Sequence, residues 1–215
     1  MRQYNDPCGL ARALNLVGER WALLIIRELL LGPKRFTDLR GGLPGVSPNV
    51  LSQRLDSLSE RGIVEQVRLG PPINADVYQL TVVGEQLEPV LFALADWGSR
   101  AQPPTDGQTS VDSLLLAMRT TVDLERSHRS GTYQLHIGSD SIAVHITDTS
   151  LTMQRRQAPE PIATMGLEPE TLRALMFEGL DLQEALDAGE VHISGDVAAT
   201  ESFFNLFERP KLIES

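Results

Sequence analysis

Within Ser47 to Gly62, SPNVLSQRLDSLSERG, the side chains Asn49, Ser52, Gln53 and Asp56 recur at i, i+3, i+4 and i+7, the spacing of one helix face. The first three are short, uncharged and able to donate and accept hydrogen bonds, as groups that read base edges in a DNA major groove must be. Ser47 opens the stretch as a cap and a further hydroxyl contact, whereas Asp56 and Glu60 make its C-terminal half acidic. A helix polarised in this way suits entry into the groove by its N-terminal end, with the acids clear of phosphates. Lys34, Arg35, Arg54 and Arg68 are the cations expected at phosphates, which set register rather than sequence. Arg54 lies nearest the apolar face and could equally bind a carboxylate of the protein itself. An ordinary amphipathic surface helix would carry the same stripe, so the neighbouring elements decide between the readings.

Other reactive chemistry is sparse. Cys8 is the single cysteine, and at the first turn of a helix its thiolate is favoured by the helix dipole. It could equally be a small apolar contact, and any disulfide would have to join two subunits. His136 and His145 fall on the polar face of neighbouring strands, in a register that sets His145 opposite Gln134, so no metal site is expected. No Gly-rich phosphate loop or nucleophile elbow occurs, so neither catalytic residues nor cofactors are expected. Met118, Met153, Met165, Met176, Phe177, Phe203, Phe204 and Phe207 could line an apolar tunnel, for which flexible Met is suited, or fill a core.

The elements that position these groups begin with a helix from Asp6-Pro7-Cys8, Asp6 as cap, carrying Leu10, Ala13, Leu14 and Val17 to Gly18. A second, Arg20 to Leu31, is apolar round much of its surface and ends at Gly32-Pro33. A short helix, Phe36 to Arg40, and a Gly/Pro turn lead into the Ser47 helix, with Pro48 at its first position. Ile63 to Leu69 and Asp76 to Leu80 then flank GPPINA as a hairpin. Thr81 caps a helix to about Trp97, with Leu87, Val90, Leu91 and Leu94 on its stripe. Three helices, a two-stranded wing and a further helix give a mainly α winged helix-turn-helix.

Ser99 to Ser110, SRAQPPTDGQTS, reads as a linker. A helix over Val111–Val122 follows, then strands at Tyr133–Ile137, Ile142–Ile146 and Leu151–Met153. Pairing in that register sets Leu135 beside Val144 and Val144 beside Met153. A short segment at Pro161–Met165, helices near Pro169–Phe177 and Leu182–Ala188, a strand Val191–Ser194 and a helix Val197–Phe207 complete an α+β domain. The expected division is 1–98, a linker 99–110, and 111–215.

The chain has 215 residues and a net charge of −10, which opposes binding to DNA until it is divided. Residues 1–102 hold 11 Lys+Arg and 11 Asp+Glu, whereas residues 103–215 hold 8 and 18, with all four histidines. The acidity therefore belongs to the second half. The longest apolar run, Trp21 to Ile26, is far short of a membrane span, and MRQYNDPCGL lacks the apolar core of a signal peptide. With one cysteine, this makes a cytoplasmic location the expectation.

CGLARALNLVGERWALLIIRELLLGPKRFTDLRGGLPGVSPNVLSQRLDSLSERGIVE, then PP, then VYQLTVVGEQLEPVLFALADWG, resembles the HxlR family of bacterial winged-helix transcription regulators over residues 8–98. The resemblance implies a homodimer held by the first and last helices of this domain, bound to an operator of two related half-sites. It also implies a role for Cys8, since some members sense oxidants or electrophiles through a cysteine there. The wing departs from the family pattern: Gln66 stands where a basic residue is common and INAD lengthens the loop, leaving Arg68 as its main phosphate candidate. MGLEPETLRALMFEGLDLQEALDAGEVHISGDVAATESFFNLF makes Leu114 to Phe207 similar to the sterol-carrier-protein-like fold. That implies an antiparallel-rich sheet covered by helices, with an apolar tunnel that in several members holds a lipid-like ligand.

The reading is a homodimeric regulator of double-stranded DNA with a C-terminal domain that senses an apolar small molecule or extends the dimer. A lipid carrier whose winged helix serves only to dimerise is the second reading, and an enzyme built on the C-terminal fold the third.

Overall fold

The computed structural model describes residues 4–71, 74–102, 107, 109–126, 130–208 and 211–212. Two compact units separate at Leu91/Phe92. Pro72 and Ile73 of the wing loop, and residues 103–106 and 108 of the expected linker, lie outside the described residues.

In the first unit, α1 (Gly9–Val17) is capped at Cys8 rather than Asp6. The Asp6 carboxylate accepts the Cys8 amide at 2.8 Å, so Asp6-Pro7 forms a turn ahead of the helix. Helix α2 (Ala22–Leu29) is shorter than Arg20 to Leu31, because Trp21 takes a left-handed backbone (φ 78°) and Gly32 another (φ 119°). Helix α3 (Phe36–Gly41) and the turn through Gly45 (φ 85°) deliver the chain to α4 (Pro48–Glu60). There Ser47 Oγ accepts the Val50 amide at 3.3 Å, Pro48 occupies the first helical position, and Gly62 (φ 67°) reverses the chain.

Leu51, Leu55 and Leu58 of α4 are fully enclosed with Ile25, Ile26, Leu29 and Leu39. Each such side chain contributes about 1.5–3 kcal/mol on burial, so three on one stripe fix the helix's rotation about its axis. Strands β1 (Val64–Leu69) and β2 (Ala75–Leu80) pair antiparallel with Arg68 opposite Asp76. Lys34 adds a one-residue bridge to Tyr78, its amide donating at 2.9 Å and its carbonyl accepting at 2.8 Å. The helix expected from Thr81 to Trp97 is two pieces, α5 (Val82–Glu85) and α6 (Glu88–Ser99), the second running across the Leu91/Phe92 boundary between the units. Pro89 has no amide to give the Glu85 carbonyl, so the ladder breaks there.

The second unit is built on α7 (Val111–Thr121), β3 (Gly131–Ile137), β4 (Asp140–Ile146), β5 (Leu151–Gln154) and β6 (Ala163–Leu167). Next come α8 (Pro169–Arg173), a π-turn Ala174–Glu178, α9 (Leu182–Asp187), β7 (Val191–Gly195) and α10 (Val197–Phe204). The sheet runs β5-β4-β3-β6-β7, antiparallel except where β3 meets β6. The expected pairing of Val144 with Met153 is present. Leu135, however, lies opposite Ile142 rather than Val144, and His145 opposite Thr132 rather than Gln134. The hairpin closes in a two-residue turn at Gly138 (φ 56°) and Ser139, two residues tighter than expected, which keeps every side chain on its face while sliding the register.

Candidate nucleic-acid interface

Helix α4 exposes Asn49, Ser52, Gln53 and Asp56 on the side away from its leucines. Ser47 is exposed as well; its oxygen serves the cap, and its O–H remains a donor. The acidic end of the helix faces the wing, where burial first and then Asp56 and Asp76 raise the Tyr78 phenol above its ordinary pKa.

The four candidate cations divide into two pairs. Arg35 is exposed at the start of α3, and its amide donates to Asp38 at 3.3 Å. Arg68 is exposed on β1 and meets Asp76 across the hairpin at 3.0 Å. Lys34 instead turns inward to Glu28 Oε2 at 2.7 Å, with 12% of its side chain exposed. Arg54 also turns inward, to Glu19, with 13% of its side chain exposed. Burial, reinforced by the charge of Arg61, lowers the Arg54 pKa. Lys34, expected at a phosphate, is thus paired inward with Glu28, and Arg54 takes the other partner open to it, a carboxylate of the protein itself.

Cys8 is exposed at the N-terminus of α1. The Ala11 amide, and then that of Leu10, hold its thiol below the ordinary pKa, although neither closes a full capping hydrogen bond.

Residues 16–106 match the HxlR-like helix-turn-helix family. The HTH-type transcriptional regulator Rv3095 of Mycobacterium tuberculosis (strain ATCC 25618 / H37Rv) is 40% identical over 96 residues, which are 45% of this chain and 60% of that protein. The HTH-type transcriptional regulator YvaP of Bacillus subtilis (strain 168) is 34% identical over 95 residues, 44% of this chain and 87% of YvaP. The chain belongs to the HxlR-like helix-turn-helix family. Its relatives are named as transcriptional regulators, not enzymes. The solved reduced form of the regulator YodB from B. subtilis is 33% identical and covers 47% of this chain and 100% of its own, at a TM-score of 0.40. Residues 119–208 match the SCP-2 sterol transfer family.

The HxlR-like unit also contains groups that the sequence reading passed over. Glu28 is fully buried on the core side of α2, and Arg27 meets its second oxygen at 2.8 Å. The available signal was an acid on the stripe of Ile25 and Leu29, beside one cation and six residues from another. Glu19 and Arg61 carried no such signal.

In the SCP-2 unit, register places Tyr133, Val144 and Met153 in one row across the sheet face, and Leu135 with Met165 in the next. Phe203 packs on Tyr133 at 5.0 Å, on Phe207 at 5.3 Å and on Phe204 at 5.4 Å between ring centroids. Met118, Met153, Met165, Met176, Phe203 and Phe207 are buried, and Phe177 and Phe204 half-buried. Met176 and Phe177 sit in the π-turn, an irregularity frequent at functional sites. On the sheet's other face Thr132 Oγ1 meets His145 Nδ1 at 3.0 Å, and Ser141 Oγ meets His136 Nδ1 at 3.3 Å. Among the described residues no trio of His, Cys, Asp or Glu gathers at a metal-binding distance, and no helix is long and apolar enough to cross a membrane.

Proposed function

We infer that this HxlR-like chain is a DNA-binding transcription regulator, acting as a homodimer on an operator of two related half-sites. The observation that carries the reading is α4 itself. Its rotation is set by three buried leucines, and the face so exposed begins with Asn49, Ser52 and Gln53, free of charge. These read base edges, Ser47 adds a contact at the helix start, and Arg35 and Arg68 hold phosphates. Dimerisation is supported by apolar side chains left exposed on two helices: Leu10 and Leu14 on α1, and Val90, Leu94 and Trp97 on α6.

Residues 1–98 carry the DNA contact, and 111–215, joined through 99–110, hold an apolar small molecule that modulates it. The match to the SCP-2 sterol transfer family and the Met-rich interior support that part. Modulation requires the ligand to bind two dimer states with different affinity.

Selection of bound duplexes from a random DNA pool tests the reading, with native mass spectrometry to show a co-purified ligand. The double variant Asn49→Ala/Gln53→Ala is expected to lose about 1–3 kcal/mol per base contact and to relax the sequence preference. Unchanged operator binding in that variant refutes the assigned face. An absence of selective binding by the wild type favours the lipid-carrier reading, in which the winged helix only dimerises.

Cys8 supports a second reading, a thiol-based sensor of electrophiles, because it is exposed and its thiolate is favoured.

A further inference from the structure

Arg54 and Arg61 lie seven residues apart, two turns along one side of α4. Both reach the far end of α1. Arg54 pairs with Glu19 in the α1–α2 turn, and Arg61 Nη1 donates to the Leu16 carbonyl at 3.1 Å. The turn they grip is tightly wound: Gly18 donates to the Leu14 carbonyl at 2.9 Å, leaving no room for a Cβ beside that oxygen. Trp21 completes it in a left-handed conformation.

The link has a cost. Arg54 Nε is shut from water without an acceptor, and the guanidinium is mostly buried. A buried ion pair is weak evidence of stability, since well-packed apolar residues often do as well, but it can fix one arrangement over its alternatives. The arrangement linked here is the position of α4 relative to the far end of α1. The leucine stripe sets the rotation of α4 through non-directional packing, and the two contacts at one end of α1 add directional polar links to it.

We propose that Arg54 is a positioning residue for DNA recognition. With Arg61 it forms a tie to Glu19 and the Leu16 carbonyl that couples the placement of α1 to that of the recognition helix. The proposal rests on the DNA-binding reading above. A shift of α1, which carries Cys8 at one end and the tie at the other, moves the base-reading face of α4 with it.

The test separates this role from a phosphate contact. Operator and random-sequence affinities are measured against salt concentration for the full-length wild type, Arg54→Met, Glu19→Gln and the charge swap Glu19→Arg/Arg54→Glu. Both single variants are expected to weaken operator binding about tenfold, with random-sequence affinity and the salt slope unchanged. The swap is expected to recover most of the operator affinity.

A phosphate contact gives a different pattern. Arg54→Met would then weaken all duplexes alike and reduce the salt slope by about 0.9. Glu19→Gln would free the arginine and tighten binding, and the swap would stay defective; any of these outcomes overturns the proposal. Single variants that melt lower yet keep full sequence discrimination show a merely structural pair and also overturn it. Wild type without sequence-selective binding instead defeats the DNA-binding reading, and the Asn49→Ala/Gln53→Ala variant reports on that reading independently.

Discussion

The Lys34 ammonium lies 2.7 Å from Glu28 Oε2, at a carboxylate fully enclosed by the core of the helix-turn-helix unit. Arg27 holds the other oxygen and reaches the Gly42 carbonyl at 3.4 Å. Lys34 is in turn bridged by both backbone groups to Tyr78 of the wing. One acid on α2 thereby ties the turn ahead of the recognition helix and the wing strand to a common point.

Glu28→Ala removes the anion that two largely buried cations share. Breaking a buried pair this way costs about 3–5 kcal/mol; the solvent edge kept by Arg27 and Lys34 puts the expected loss near the lower bound. Urea unfolding followed by tryptophan fluorescence measures it, and a loss below about 0.5 kcal/mol, the range of neutral surface changes, contradicts the buried network.

The wing predicts the reverse balance. Arg68 and Asp76 are both more than half exposed, and such pairs contribute about 0–1 kcal/mol. Asp76→Asn should therefore leave stability unchanged while releasing Arg68 to DNA. Arg68→Ala should weaken all duplexes equally and lower the salt slope by about 0.9. A change in preference at a single base position would instead place Arg68 in a groove.

Legibility followed redundancy in the signals. In α4 the Ser47 cap, Pro48, the leucine spacing and Gly62 point to one answer, and the helix has the expected bounds to within a residue. The β3–β4 register was less determined: a two-residue and a four-residue turn after Ile137 bury the same alternate side chains, so periodicity cannot choose between them. The parallel pairing of β6 with β3 has no local signature at all, because its partner lies some thirty residues away in sequence. Charged residues with inward roles were the least legible. Lys34 looks like any surface cation until its carboxylate is located in space, whereas the place of Arg54 near the apolar face of α4 already offers an internal carboxylate as its partner, without saying which.

Cys8 yields a pH prediction. Its thiol lies below the ordinary range because the Ala11 and Leu10 amides favour the sulfur anion, so the thiolate persists to lower pH than in a free cysteine. Alkylation by iodoacetamide should rise with pH through a midpoint below that of a model thiol, about 8.5. Since the chain has one cysteine, all label belongs to it, and Cys8→Ser is the blank. A midpoint at or above the model thiol removes the support for sensing.

The aromatic cluster of the second unit separates a packed interior from a pre-opened tunnel. Phe203 touches three rings and is fully enclosed, whereas Phe204, its neighbour on α10, shares one ring contact and is half-buried. If these rings are packed as found, Phe203→Ala leaves a cavity and costs about 3–5 kcal/mol. Phe204→Ala then costs clearly less, since part of its surface already meets solvent. If the rings instead line space that a ligand normally fills, Phe203→Ala is mild in ligand-free protein, and its penalty appears as lost stabilisation when a long-chain fatty acid is added. Thermal melts of both variants with and without the fatty acid distinguish these outcomes, because a ligand stabilises only the state that binds it. The ring distances favour the first, so a ligand that enters must displace Phe203 or the Met176–Phe177 π-turn.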